Sequence, residues 1–539
     1  MGALDAGCFE EELENGVGLE EDVAEIGWES GMTDSESELA RTIEDAVRVL
    51  LQGLGEDPER EGLRRTPHRV AKAFREGTRG LEDEAAPHFL VPARRDADFD
   101  ELITTDHVEI LSRLRSLFTL FYFVLGYKQK VKDIVQGALF PEAGLETGTG
   151  HAGGAGGLVV VRNINLFSYC ESCLLPFSIQ CHVGYVPSGR RVVGLSKLSR
   201  VADVFSKRLQ DPQRLANEIC SALHNSIKPA GVAVALQCWH IQFPEALPCN
   251  SNSTNPCKLD MQGWIQVLVS SSSGVLKEEK RSLWDDFLAL LKLKSINIER
   301  GDTNLSSASS WCPSRVLETS LCHGHYARSP KNGKTSSKTG VSHAAMMAAV
   351  TSILHSLGED PSRKELVRTP HHYVQWLMNL RSSNLDLRLN GLSKANSCNV
   401  VDGNFTCPNE IQSVLNIPFC SQCEHHLLPF HGIVHIGYLD KQEGKCIERS
   451  VLQSVVHSFA CKLQVQERLT RQIAEAVYSI FNIGVMVVVE AHHLCMISRG
   501  IEKVGSNTAT IAVLGQFSTD AKAKGLFLQT IADNNASEG

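Results

Sequence analysis

Cys423-Glu424-His425-His426-Leu427-Leu428-Pro429-Phe430 sets a Cys, an acid and two His side by side ahead of a Leu-Leu-Pro-Phe tail. An earlier stretch, Cys170-Glu171-Ser172-Cys173-Leu174-Leu175-Pro176-Phe177, keeps the frame but has lost both histidines. Self-similarity of this kind reads as a tandem repeat, here with copies that have diverged in their chemistry.

The repeat extends on both sides. Gly55-Glu56-Asp57-Pro58 ahead of Arg65-Thr66-Pro67-His68 recurs as Gly358-Glu359-Asp360-Pro361 ahead of Arg368-Thr369-Pro370-His371. His182-Val183-Gly184-Tyr185 recurs as His435-Ile436-Gly437-Tyr438. The expected division is an acidic unstructured arm over 1–40, a first domain over 41–300, a Ser- and Lys-rich linker over 301–340 and a second domain over 341–535. Pro67 and Pro370 are 303 residues apart but Cys170 and Cys423 only 253, so the first copy holds about 50 extra residues. Most of that excess falls to 81–125, read as an insertion.

Composition narrows the class. At 539 residues, 42% hydrophobic and 21% charged, the chain is an ordinary globular protein of several domains. A net charge of −9 argues against nucleic acid or an anionic membrane as the partner. Seventeen cysteines, an odd number without regular spacing, read as reduced intracellular thiols. The first 40 residues carry thirteen Asp or Glu and no Lys or Arg, so neither a secretory signal nor a transit peptide is supported, and the expected location is cytoplasmic. The most apolar run, 117–125, is far short of the roughly 18–20 residues a membrane span needs.

The periodicity predicts a helix after each Thr-Pro, where Pro suits a helix start. It predicts strands over 180–186 and 433–438, and a helix with apolar positions Leu469, Ile473, Val477 and Ile480, echoed by Leu215, Ile219 and Leu223. A Val-rich run, 485–489, predicts a buried strand continuing into 491–496. The class is α+β with antiparallel strands, not alternating βαβ.

Cys423 and His426 have the x-x spacing that lets one turn present two ligands to a metal. His493 and Cys495, two apart on the predicted strand, point to one face. Cys423, His426 and Cys495 together suit zinc with a fourth position left to water, an arrangement that favours catalysis. His425 and His493 stand nearby as proton carriers. Spacing takes the argument no further, since a C-x-x-H arises readily by chance among seventeen Cys and twenty His. Glu467 is open to two readings: a first-turn acid complementing the helix dipole, or an acceptor for a guanine N1–H and N2–H edge.

Taken in order, Cys423-Glu424-His425-His426, 463–470 (Leu-Gln-Val-Gln-Glu-Arg-Leu-Thr), His493-Leu494-Cys495-Met496 and Arg499-Gly500 strongly resemble GTP cyclohydrolase I, in its plant-type two-domain form. The resemblance implies two tandem tunnelling-fold domains, each an antiparallel sheet with helices on one face, assembling into a toroidal ring as a homo-oligomer. It implies conversion of GTP and water to formate and 7,8-dihydroneopterin triphosphate, the entry step to folate. Cys423, His426 and Cys495 would hold Zn2+, whose water would attack C8 of guanine. His425 and His493 would move protons, and Gln466 and Glu467 would read the base.

The departures from the family pattern are informative. The phosphate-binding Gly-Leu-Ser-Lys-x-x-Arg is whole in the first half, as 194–200 with Ser196, Lys197 and Arg200, but has lost Lys and Arg in the second. Thr-Pro-x-Arg-Val-Ala-Lys is likewise whole only in the first half, with Arg69 and Lys72. Conversely the first half has Ser172 and Cys173 for the two His and Gln242 for the last zinc Cys, although His240 is kept. Neither half holds a full site, and together they hold one. The expectation is therefore a composite site: zinc, proton transfer and base recognition from the second half, triphosphate cations from the first, with Arg499 adding a charge. The rivals are a catalytically inactive paralogue that binds GTP or the enzyme, disabled by 81–125, and a zinc-stabilised structural domain.

Overall fold

The computed structural model describes residues 34–78, 131–141, 157–188, 191–242, 263–277, 281–296, 312, 341–381, 411–439, 447–499 and 507–538, apart from Gln136 and Ser295. The 81–125 segment, and most of the expected arm and linker, lie outside them.

The first half runs α1 (Asp34–Gly53), α2 (Thr66–Gly77), α3 (Val131–Val135), β1 (Leu139–Pro141), β2 (Val159–Cys170), β3 (Pro176–Val186), β4 (Arg191–Val193), α4 (Leu195–Ser206), β5 (Leu209–Gln210), α5 (Pro212–Ile227), β6 (Gly231–Gln242), β7 (Gly263–Gly274) and α6 (Arg281–Lys292). The second runs α7 (His343–Ser356), α8 (Thr369–Arg381), β8 (Ile411–Cys423), β9 (Pro429–Leu439), α9 (Arg449–Ala460), β10 (Leu463–Gln464), α10 (Gln466–Phe481), β11 (Val485–His493), α11 (Leu494–Ile497), β12 (Thr508–Leu514), α12 (Gln516–Thr519) and α13 (Ala521–Glu538). Each half builds one five-stranded sheet, in the orders β5-β2-β3-β6-β7 and β10-β8-β9-β11-β12. The long strands pair antiparallel, and only the two-residue β5 and β10 run parallel to their neighbours. This is the expected α+β fold, repeated.

The repeated His-x-Gly-Tyr is a folding device. In both halves the strand pairing slips at a bulge, with Asn163 and Asn416 in the left-handed region at φ 57° and 54°. The N–H that the bulge strands is taken by the motif histidine: Asn163 donates to His182 Nδ1 (3.1 Å) and Asn416 to His435 Nδ1 (3.4 Å). The glycine leaves room for a ring, because a Cβ at Gly184 would meet Phe287 at 2.8 Å and one at Gly437 would meet Phe527 at 2.7 Å. The tyrosine hydroxyl then accepts from the backbone of the returning chain, at Val193 (3.1 Å) or Ile447 (2.8 Å).

Helices α5 and α10 cover one face of their sheets with Leu215, Ile219 and Leu223, and with Leu469, Ile473 and Val477, all fully buried. Ile480, expected on that stripe, is 52% exposed at the last turn, where the helix ends on left-handed Asn482. The opposite face of each sheet also carries a helix. Trp284, Phe287 and Leu291 of α6 pack on the first sheet, and Phe527 and Ile531 of α13 on the second.

Each half opens with two helices rather than one, and α1 begins at Asp34, inside the expected arm. α1 packs along α7, and while α2 and α8 touch the sheets of their own halves, each also reaches the loop of the other half. The Thr66 hydroxyl of α2 donates to the carbonyl of Glu424 (2.7 Å), and that of Thr369 in α8 to Glu171. Each half thus caps the Cys-Glu loop of the other. No helix among the described residues is long and apolar enough to cross a membrane.

Candidate active site

β8 ends at Cys423 and β9 begins at Pro429, and the loop between them closes on itself. Cys423 N–H donates to Leu428 O and Leu427 N–H to Cys423 O, both at 2.9 Å. Leu427 sits at φ 53° with no exposed surface, an unfavoured conformation for a branched residue held by its packing. The turn brings Cys423 Sγ within 4.0 Å of His426 Nδ1. Cys495 completes the group: one donor atom from each of Cys423, His426 and Cys495 lies within 4.8 Å of the others.

Cys495 arrives differently from expectation. β11 stops at His493, and Cys495 lies in the single helical turn α11, so the two do not share a strand face. The abrupt change from strand to helix swings the thiol back over the loop. Cys495, together with the His426 and His493 rings, holds the Cys423 thiol well below its ordinary range despite burial. Two thiols and an imidazole at such separations fit a tetrahedral thiophilic metal with one position left over.

His493 lies flat on Phe430, with ring centroids 4.6 Å apart and planes 4° apart. Its Nε2 donates to Gln466 Oε1 at 2.7 Å. The Gln466 amide nitrogen in turn donates to Val489 O (3.1 Å), Thr508 O (2.9 Å) and Thr510 Oγ1 (3.2 Å), and the residue is 2% exposed. Every polar atom of that side chain is bonded within the protein, and the geometry makes it the holder of His493. Glu467, one residue on, is exposed and lines a cavity of about 620 Å³ with Arg471, Thr510 and Ala512, along edge strand β12.

The first half reaches this centre through α2. Arg69 lies one turn after Thr66, and burial, with the Arg69 charge and against the pull of Cys423, lowers the His425 pKa. Lys72 follows on the same helix face. Arg499 lies in the cluster with its guanidinium against His426 Nε2. Ser196, Lys197 and Arg200 are not brought there within one chain: α4 carries them on the first half, packed against β2, α3 and α5.

A buried clamp beside the site escaped the sequence reading. Glu424 is 3% exposed and takes Arg468 through both oxygens (3.1 and 2.7 Å) and Arg60 of the first half (3.0 Å). Burial alone would raise its carboxyl pKa, but Arg468 and Arg60 hold it below the ordinary value. In the other half Glu171 meets Arg214 (2.6 Å) and Arg363 (3.7 Å). The recoverable signal was the arginine repeated five residues after Gly55 and Gly358.

Fold and centre together define a duplicated α+β protein with one three-donor thiolate–imidazole site capped by the opposite half. Comparison with known proteins narrows this class. Residues 43–122, 126–243 and 346–532 match the GTP cyclohydrolase I family. The first stretch runs into 81–125. A protein of Solanum lycopersicum named GTP cyclohydrolase 1 is 50% identical over 538 residues, covering 99% of each chain. One of Arabidopsis thaliana with that name is 47% identical, covering 99% of this chain and 98% of its own. A Synechococcus protein so named is 41% identical over 192 residues, which is 35% of this chain and 80% of that one. This chain belongs to the GTP cyclohydrolase I family.

Proposed function

We propose that the chain hydrolyses GTP to formate and 7,8-dihydroneopterin triphosphate, the first step of folate synthesis, at a site built from both halves. One observation carries the composite reading: α2 of the first half is seated on the metal loop of the second, through Thr66 and Glu424 at 2.7 Å. Cys423, His426 and Cys495 would hold zinc, which when bound supplies a water acidified towards neutrality. His493, fixed by Gln466, and His425, whose pKa burial and Arg69 lower, are suited to accept and return protons at the opened imidazole ring. Glu467 offers a carboxylate to the guanine edge.

Arg69 and Lys72 supply cations from the same chain. A triphosphate in a shielded pocket needs more of them. Ser196, Lys197 and Arg200 would come from a neighbouring chain, which requires a ring. Among the described residues no strand pairs with the outer edges of β7 and β12, where another copy would continue each sheet. The working enzyme is then a cytoplasmic homo-oligomer. Near full-length likeness to proteins named for this activity does not favour an inactive paralogue.

The test is GTP-dependent formation of a pterin that fluoresces after oxidation, measured beside zinc content. Turnover that is abolished in Cys495→Ala supports the reading. Metal-loaded protein without turnover would overturn it.

A further inference from the structure

The first half reads by sequence as the copy that gave up its metal chemistry. The structure gathers four donors there instead. Cys170 closes β2, Cys173 follows in the turn, His240 lies on β6, and Cys312 enters from the stretch between the halves; one donor atom from each lies within 4.8 Å of the rest. Exposure is 1% for Cys170 and 0% for the other three. We propose that these residues form a second metal centre, a closed Cys3His zinc site whose role is structural.

The separations carry the argument. Zinc bound tetrahedrally at about 2.3 Å to sulfur and about 2.0–2.1 Å to nitrogen sets two thiolates about 3.8 Å apart, and a thiolate and ring nitrogen about 3.6 Å apart. Cys170 Sγ and Cys312 Sγ are 3.6 Å apart, and Cys173 Sγ and His240 Nε2 are 3.3 Å apart. The sulfur pair is far longer than the roughly 2.0 Å of a disulfide. His240 donates from Nδ1 to the carbonyl of Ile241 at 2.9 Å, which turns the lone pair of Nε2 towards the sulfurs. Metal-bound histidines are commonly fixed in this way through their other nitrogen.

The contrast between the halves explains why one site is closed and the other open. His240 and His493 occupy equivalent places at the ends of β6 and β11. In the second half Gln466 holds His493 by its Nε2. The equivalent first residue of α5 is Pro212, which has no side-chain amide. Released from that bond, the same ring becomes available as a ligand. Cys173 stands where His426 stands, and Cys312 fills the remaining position. With four protein donors there is no place for water or substrate, so the centre stabilises rather than catalyses. It would fasten the chain at Cys312, the one described residue between Ile296 and Val341, to the first sheet. The fastening lies under α8 of the second half, whose Trp376 Nε1 donates to Cys173 O at 3.2 Å.

Metal content of the full chain, purified under reducing conditions, tests the proposal independently of activity. The native protein should hold about two zinc ions per chain, and Cys495→Ala and Cys312→Ser about one each. The ion left in Cys495→Ala should be the one that resists chelators, and its cobalt replacement should show the intense thiolate absorption of a tetrahedral sulfur-rich site. Cys312→Ser should lose zinc and thermal stability while pterin formation continues at low temperature. If that variant fails to fold, Cys495→Ala decides alone. An empty Cys495→Ala protein, full zinc in Cys312→Ser, or a Cys170–Cys312 disulfide in the native chain would overturn the proposal.

Discussion

Glu424→Gln changes almost no volume but removes a charge from the join between the halves. The native carboxylate is 3% exposed and accepts Arg468 at 3.1 and 2.7 Å and Arg60 at 3.0 Å. Removing one partner of a buried ion pair costs about 3–5 kcal/mol, because the remaining charge is left without compensation. Here Arg60 and Arg468 keep 33% and 30% of their side-chain surface in water and can be rehydrated. That places the cost lower, at about 2–3 kcal/mol. Urea unfolding of Glu424→Gln, Arg60→Met and the double variant gives the cross-half share as a coupling free energy. A coupling of about 1 kcal/mol is expected, since Arg60 makes one of the three bonds. Because Cys423 is the next residue, weaker zinc retention should accompany the loss. A cost below about 0.5 kcal/mol with no coupling would refute the claim that the first-half hairpin holds the metal loop.

Other outcomes follow from the same contacts. Gln466→Leu should lower kcat about 10–100-fold with KM and zinc content nearly unchanged, because the side chain acts through His493. A raised KM with normal kcat would instead assign it to the base. Acid should destabilise the fold through His182 and His431, whose burial, aided respectively by Arg162 and by His492 and His493, lowers their pKa from 6.5 to about 4. The folded state binds these protons less readily than the unfolded chain, so their contribution is full above about 6.5 and is lost as pH falls towards 4. His182→Gln should flatten the dependence of Tm on pH across that window.

Much of this was legible in local pattern. The duplication, the paired helices at Leu215 and Leu469, and the Cys423–His426 turn depend on neighbouring residues, whose spacing the sequence displays. Cys495 was assigned to the site for a wrong local reason, since alternation cannot foresee that β11 breaks into a helical turn. The resemblance implies a base-reading Gln466 but not its bond to His493, because its inward rotamer depends on Thr508 and Thr510 of a distant strand. The hairpin contacts between halves and the approach of Cys312 to Cys170 span more than a hundred residues. No spacing rule reports those, and only the arginines after the two Gly-Glu-Asp-Pro motifs hinted at the first.

The central claim, that one site draws on both halves of a chain and on a neighbouring chain, has a direct measurement in co-assembled variants. Cys495→Ala and Arg69→Ala damage the same site when Arg69 serves its own chain, so mixed oligomers should stay at the inactive baseline. Cys495→Ala mixed with Lys197→Ala should recover activity, because an intact metal centre can meet an intact Lys197 from its neighbour. Random mixing in a ring restores about a quarter of the sites. Recovery in the Arg69 mixture, or none in the Lys197 mixture, would contradict the account.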